Sequence, residues 1–129
     1  MTMADPLVDP ILGADHHDVG GLSVDVTRVG NGRLKRVIYP PGWRWSTHMK
    51  PVTKTESCRH THIGFLARGR LHGVYDDGCE YEVAAPAFAI VHAGHDGWVV
   101  GDEPAVWLQW DSEEGTARRF GVPDEHVHG

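Results

Sequence analysis

Three histidines and both cysteines of this chain crowd into one stretch, Glu56 to Val83: Cys58, His60, His62, His72 and Cys79. Of ten histidines, His48, His60, His62, His72, His92 and His95 fall in the middle of the sequence. Neutral imidazole suits iron, zinc, nickel and copper, whereas carboxylate-rich sites suit magnesium and manganese. Holding an ion requires side chains that converge on one point, each imidazole oriented by a partner. The competing reading for any one of them is a hydrogen-bonded polar residue on a strand. His16, His17, His126 and His128 lie in polar ends and read as solvated. Cys58 and Cys79 are not in a CxxC arrangement, which argues against a thiolate zinc knuckle. They read as reduced, packed thiols, with pairing across neighbouring strands as the alternative. A Ser-His-Asp arrangement and a phosphate-cradling glycine loop are both missing from the sequence.

The elements that must position these residues are strands. Alternation with period two recurs along the chain, and amphipathic helix periodicity is almost absent. Strands are predicted at 22–29, 33–40, 43–49, 58–68, 70–76, 79–84, 87–92, 97–101 and 105–111. Turn signals separate them: Gly30-Asn31-Gly32, Pro40-Pro41-Gly42, Asp76-Asp77-Gly78 and Gly101-Asp102-Glu103-Pro104. Asp77-Gly78 is a hairpin signal. Many short strands at this spacing predict an all-β, antiparallel sandwich or barrel. A short helix is expected in 112–120, weakened by Gly115. The organisation expected is a flexible leader over 1–20, a barrel over 21–111 and a tail over 112–129.

On the strand 58–68, Cys58, His60, His62, Gly64 and Leu66 share one face, and Arg59, Thr61, Ile63, Phe65 and Ala67 the other. Its second half is apolar on both faces, so both should be covered. A second copy of the chain would cover the outer one, which predicts a homodimer. Trp43 and Trp45 on the face opposite His48 lead to the same expectation.

The formal net charge of −6 argues against nucleic-acid or anionic-membrane partners, which select for clustered Lys and Arg. The start lacks a basic end and a long apolar run, and no stretch reaches membrane-spanning length. A soluble, cytoplasmic protein is expected.

Taken in order, "PPGWRWSTH", "HIGFLARGRLHG", "DDG" and "HAGHDGWVVGDEP" resemble the cupin family over roughly residues 33 to 111. Gly42 is followed by five residues and His48, as in the first cupin motif, while Lys50 stands at the second histidine position. His62 stands six residues before Gly69, where the family usually has Glu. In the second motif Gly94 is kept, Gly97 stands at the histidine position with His95 the nearest imidazole, and Gly101 replaces Asn. The resemblance implies a jelly-roll barrel with a metal held by His48 and His62, joined by His95 and His60. An all-histidine set points first to zinc or iron, with nickel, copper and manganese open. His60 or Tyr75 would be the acid or base. The barrel mouth would be a small-molecule pocket lined from Lys50, His72, Trp98 and Trp107, unless Pro51 turns Lys50 to solvent. Trp107 and Trp110 face opposite ways, so at most one of them lines it. His92 reads as structural. The implied activity is oxygenase, isomerase, lyase or cyclase chemistry on a small oxygenated molecule. The alternative is a non-catalytic module that binds a small molecule or a metal.

Overall fold

The computed structural model describes residues 4–112, 115–123 and 126. Strands form where the sequence alternates: β1 (Asp15–Val19), β2 (Leu22–Val29), β3 (Gly32–Tyr39), β4 (His62–Arg68) and β5 (Arg70–Tyr75). They continue with β6 (Glu80–Ala84), β7 (Ala87–Val91), β8 (His95–Val99) and β9 (Ala105–Ser112). All pairings are antiparallel, in a six-stranded sheet of order β1-β2-β3-β9-β4-β7 and a three-stranded sheet β6-β5-β8. The sandwich core holds Leu22, Val37, Tyr39, Leu66, Leu71, Val91, Val99 and Trp107. The β5–β6 hairpin turns at Asp77-Gly78, with Gly78 at φ 89°.

Two glycines let the layers approach. A Cβ on Gly64 would run into the Leu108 carbonyl, and one on Gly73 into the Tyr81 ring. Among the described residues, no helix is long and apolar enough to cross a membrane.

Three expectations are revised. Residues 43–49 do not form a strand: Trp45–Met49 is a π-helical turn followed by α1 (Lys50–Thr53). Trp43 and Trp45 are both buried, which produced the strand-like alternation. The turn closes when the His48 and Thr47 amides donate to the Arg44 carbonyl at 2.9 and 3.2 Å. Pro51 then falls in the first turn of α1, where its missing N–H costs nothing. Secondly, the strand expected from Cys58 begins only at His62, and Cys58 instead makes an isolated bridge to His95. Thirdly, the stretch expected as a leader contains β1. Upstream of it, Asp5 pairs with Arg68 at 2.9 Å, and Arg36 donates to the Pro6 and Asp9 carbonyls at 2.9 and 2.7 Å. The C-terminal helix is α2 (Thr116–Phe120). His128 and its neighbours 127 and 129 lie outside the described residues.

Candidate functional site

The sheets diverge around a cavity of about 490 Å³. Its apolar wall includes Leu22, Val24, Val37, Trp43, Trp45 and Met49. One end is polar, where β4 of the larger sheet and β8 of the smaller one begin. There Cys58, His62 and His95 bring one ligand atom each within 4.8 Å of one another. His62 opens β4 and His95 opens β8. Cys58 is tied to the latter by its backbone: its amide donates to the His95 carbonyl at 2.7 Å, and its carbonyl accepts from the Gly94 amide at 2.7 Å. Each donor is therefore fixed by a strand end rather than by a free loop.

Hydrogen bonds orient both imidazoles. His95 Nδ1 lies 2.6 Å from the His92 carbonyl, which can only accept. His95 therefore carries its proton on Nδ1 and keeps Nε2 as the donor to a metal. His62 Nδ1 faces Gln109 Oε1 at 3.4 Å, and Gln109 Nε2 donates to the Tyr39 hydroxyl at 3.1 Å. That arrangement leaves the His62 Nε2 lone pair facing the Cys58 thiol, from which it accepts at 3.6 Å. The two imidazole rings stand edge-on with centroids 5.2 Å apart.

Burial sets the charge state. It depresses His95 to about 4, against the opposing pull of the His92 carbonyl. Burial, with His95 beside it, holds His62 well below the ordinary histidine range. Both rings are thus neutral at pH 7, the form that binds metals. Burial also pushes the Cys58 thiol up to about 11. Two neutral imidazoles and a thiol fit a divalent transition ion, which would take the place of the thiol proton. The Trp107 indole N–H, buried in the wall, has no acceptor among the described residues.

No family model and no curated protein matches the chain. Solved structures do. Rru_A2000 of Rhodospirillum rubrum, described as a cupin-2 domain, superposes with TM-score 0.58 at 18% identity, over 83% of this chain and 74% of that one. The cupin domain of Schizosaccharomyces pombe Cnp3 gives TM-score 0.53 at 13% identity, over 91% and 82%. This chain folds as a cupin. AerE from Microcystis aeruginosa is also similar, with TM-score 0.55 at 16% identity over 75% of this chain. This chain spans only 44% of the AerE chain.

The cupin barrel brings together two of the four histidines named as ligands, His62 and His95, and joins Cys58 to them. His48 is elsewhere. It is exposed in the π-helical turn, its Nδ1 3.1 Å from the Arg44 backbone and its ring stacked on Trp43. A helical turn places residues at a pitch that strand alternation does not describe, so the face assigned to His48 does not exist. His60 precedes β4, escapes its alternation and sits exposed at the cavity mouth. Partial burial, with Lys35 nearby, lowers its pKa.

Tyr75 is buried and accepts the His92 amide at 3.2 Å, and it is not among the lining residues. Tyr81 is among them. Lys50 points to Glu56 at 3.5 Å, outside the cavity lining. His72 lies on the outer face of the smaller sheet, 3.0 Å from Glu80 and 3.4 Å from Glu82. Trp98 lines the cavity edge while its ring packs between Arg44 (4.3 Å) and His72 (5.2 Å). Trp107 is a wall residue, its ring 5.7 Å from that of His62. His92 is structural in the sense expected, its carbonyl orienting His95.

Sequence reasoning passed over Cys58 as a candidate ligand and Gln109 as the residue that orients His62. Both left a signal. Cys58 shares the parity of His62, and Gln109 is a lone amide inside the apolar run "AVWLQW".

Proposed function

We propose that this cupin is a metal-dependent enzyme acting on a small oxygenated organic molecule in its barrel cavity. The observation that carries the reading is the convergence of Cys58, His62 and His95 on the cavity wall. Three protein ligands leave coordination positions open, as catalytic rather than structural sites do. A thiolate with two imidazoles suits zinc or iron better than magnesium or manganese. A bound ion would supply Lewis-acid polarisation of a substrate oxygen or an activated water. The chain's own contribution is to hold His62 and His95 in one tautomer and to enclose the substrate in an apolar wall. Tyr81, lining the cavity with its ring 6.1 Å from that of His95, is the candidate proton-bearing phenol. Burial pushes its pKa up, so it would act as a proton donor and not as a base.

The test is elemental analysis of purified protein, with Cys58→Ser, His62→Ala, His95→Ala and His48→Ala. Near-stoichiometric zinc or iron in the parent and in His48→Ala, lost from the other three, supports the reading. Metal-free parent protein that takes up no zinc, yet binds an apolar dye, would make it a binding module instead. The unpaired thiols of Cys58 and Cys79 suit a reducing compartment such as the cytoplasm.

A homodimer through the outer face of the larger sheet is part of the same proposal. Cross-strand neighbours there form two rows: Ile90, Ile63, Trp110 and Leu34, then Phe88, Phe65 and Leu108. Phe88 is 80% exposed and Ile90 47%. Neither row contains a charged side chain, and Arg36 beyond Leu108 is covered by residues 5–9. A self-complementary apolar face of this kind fits a second copy related by a two-fold axis. Sedimentation equilibrium should give a dimer for the parent and a monomer for Phe88→Asp/Ile90→Asp; a monomeric parent refutes the interface.

A further inference from the structure

The cavity carries a charge opposite to that of the protein. The chain has 18 Asp and Glu against 12 Lys and Arg. Yet among the described residues lining the cavity there is no carboxylate, while Arg33, Lys35 and Arg59 all line it. Arg59 is matched outside the lining by Asp76 at 2.5 Å. Arg33 and Lys35 are not matched in the same way. They project from the same face of β3 and share one carboxylate: Asp111 accepts from Arg33 at 2.6 and 3.0 Å and from Lys35 at 2.5 Å. Burial pushes Asp111 up, but the two cations outweigh it, so it stays ionised. Two cations and one anion leave an excess positive charge in a place where the Lys35 side chain is only 22% exposed. A partly desolvated excess charge is costly unless a counter-ion joins it.

We infer that the cavity takes a small carboxylic acid with an apolar body, its carboxylate seated on Lys35 and Arg33. The inference rests on the cavity being the substrate site proposed above. Lys35, Gln109 and Gly64 stand in one row across β3, β9 and β4. Gln109 is the residue that orients His62, which lies two positions along β4 from Gly64. The anion seat is therefore about two strand spacings, roughly 10 Å, from the strand that carries His62. A molecule of that length would place its carboxylate on the cations and its far end near the Cys58–His62–His95 cluster, inside a cavity whose wall is otherwise largely apolar. The excess cation would also speed the capture of anions by an otherwise acidic protein.

The probe pair is trans-cinnamate and its neutral isostere cinnamamide, titrated calorimetrically into the full chain as purified and again after chelation. The acid should bind on the order of tenfold tighter than the amide. Lys35→Gln leaves one cation per carboxylate and should abolish that preference, Lys35→Arg should keep it, and Asp111→Asn should enlarge it. Equal binding of acid and amide by the parent, or a preference unchanged in Lys35→Gln, overturns the inference. The second outcome would mean that the acid sits on the metal. Zinc content, measured on the same preparations, tests the metal reading separately: a Lys35-dependent preference in metal-free protein upholds the anion seat while removing the enzyme proposal.

Discussion

Replacing Gln109 with Leu should separate the proposed metal site from the fold. Gln109 is buried and makes two hydrogen bonds, accepting from His62 Nδ1 at 3.4 Å and donating to the Tyr39 hydroxyl at 3.1 Å. Gln109→Leu should have two separable effects. The Tyr39 hydroxyl, itself fully buried, loses its partner, which costs about 1–3 kcal/mol of stability. His62 loses the acceptor that holds its tautomer, and removing such an orienting partner typically weakens metal binding 10- to 100-fold, or about 1.4–2.7 kcal/mol. Adding Tyr39→Phe removes the stranded hydroxyl and should return most of the lost stability. It should do nothing for the metal. The assay pairs urea unfolding of chelated protein with competitive zinc titration for the parent, Gln109→Leu and Gln109→Leu/Tyr39→Phe. Parental zinc affinity in the double variant would refute the argument, because His62 would then not be a ligand held through Gln109. Parental stability in the single variant would refute the other half, the energetic claim about Tyr39.

Asp25→Ala strands the Arg36 guanidinium, 4% exposed, which pairs with Asp25 at 2.9 Å; the loss should be about 3–5 kcal/mol, on the order of 10–20 °C in Tm by calorimetry. Burial raises the Asp25 carboxyl, but bonds to His16 and Arg36 outweigh it and hold it low, so the pair's stabilisation is present above the unfolded pKa near 3.8 and is lost as pH falls further. His72 runs the opposite way. Glu80 first, then Glu82, raise its pKa, so its contribution is complete below the unfolded value near 6.5 and fades as pH rises through the folded one; the parent-minus-His72→Gln difference in urea midpoint should shrink from pH 5.5 to pH 8.5. Gly64→Ala drives a methyl into the Leu108 carbonyl between paired strands and should disrupt the larger sheet, seen as lost near-UV circular dichroism; a parental spectrum and Tm would contradict the packing described.

Most of the architecture was legible in the chain. Period-two alternation and the Asp-Gly and Pro-Gly turns predicted the strands now seen as β2, β3, β5, β6, β7 and β9, because side chains on a half-buried strand must alternate whatever the partner. The cupin-like order of glycines and histidines pointed to His62 and His95, which the fold brings together, and equally to His48, which it does not. What failed was local. The Trp43–His48 segment alternates like a strand, but Trp43 is buried just before a helical turn and Trp45 at its start, and alternation over so short a run does not tell the two apart. Lys50 and His72 are pocket candidates only through the cupin resemblance, and their partners Glu56, Glu80 and Glu82 lie outside the cavity lining.

The sequence by itself determined the strand content, the histidine and cysteine inventory and the excess of acid, since these follow from residue types and from a periodicity that each strand carries alone. Only the tertiary structure decided which donors meet. His62 and Cys58 are joined to His95 by the junction of two different sheets, a backbone bridge and the carbonyl of His92. The sign of charge inside the cavity was decided there too, because it depends on Asp111 lying opposite Arg33 across the β3–β9 ladder. Registers between strands far apart in the chain are set by the packing of the whole core, and no single stretch contains that information.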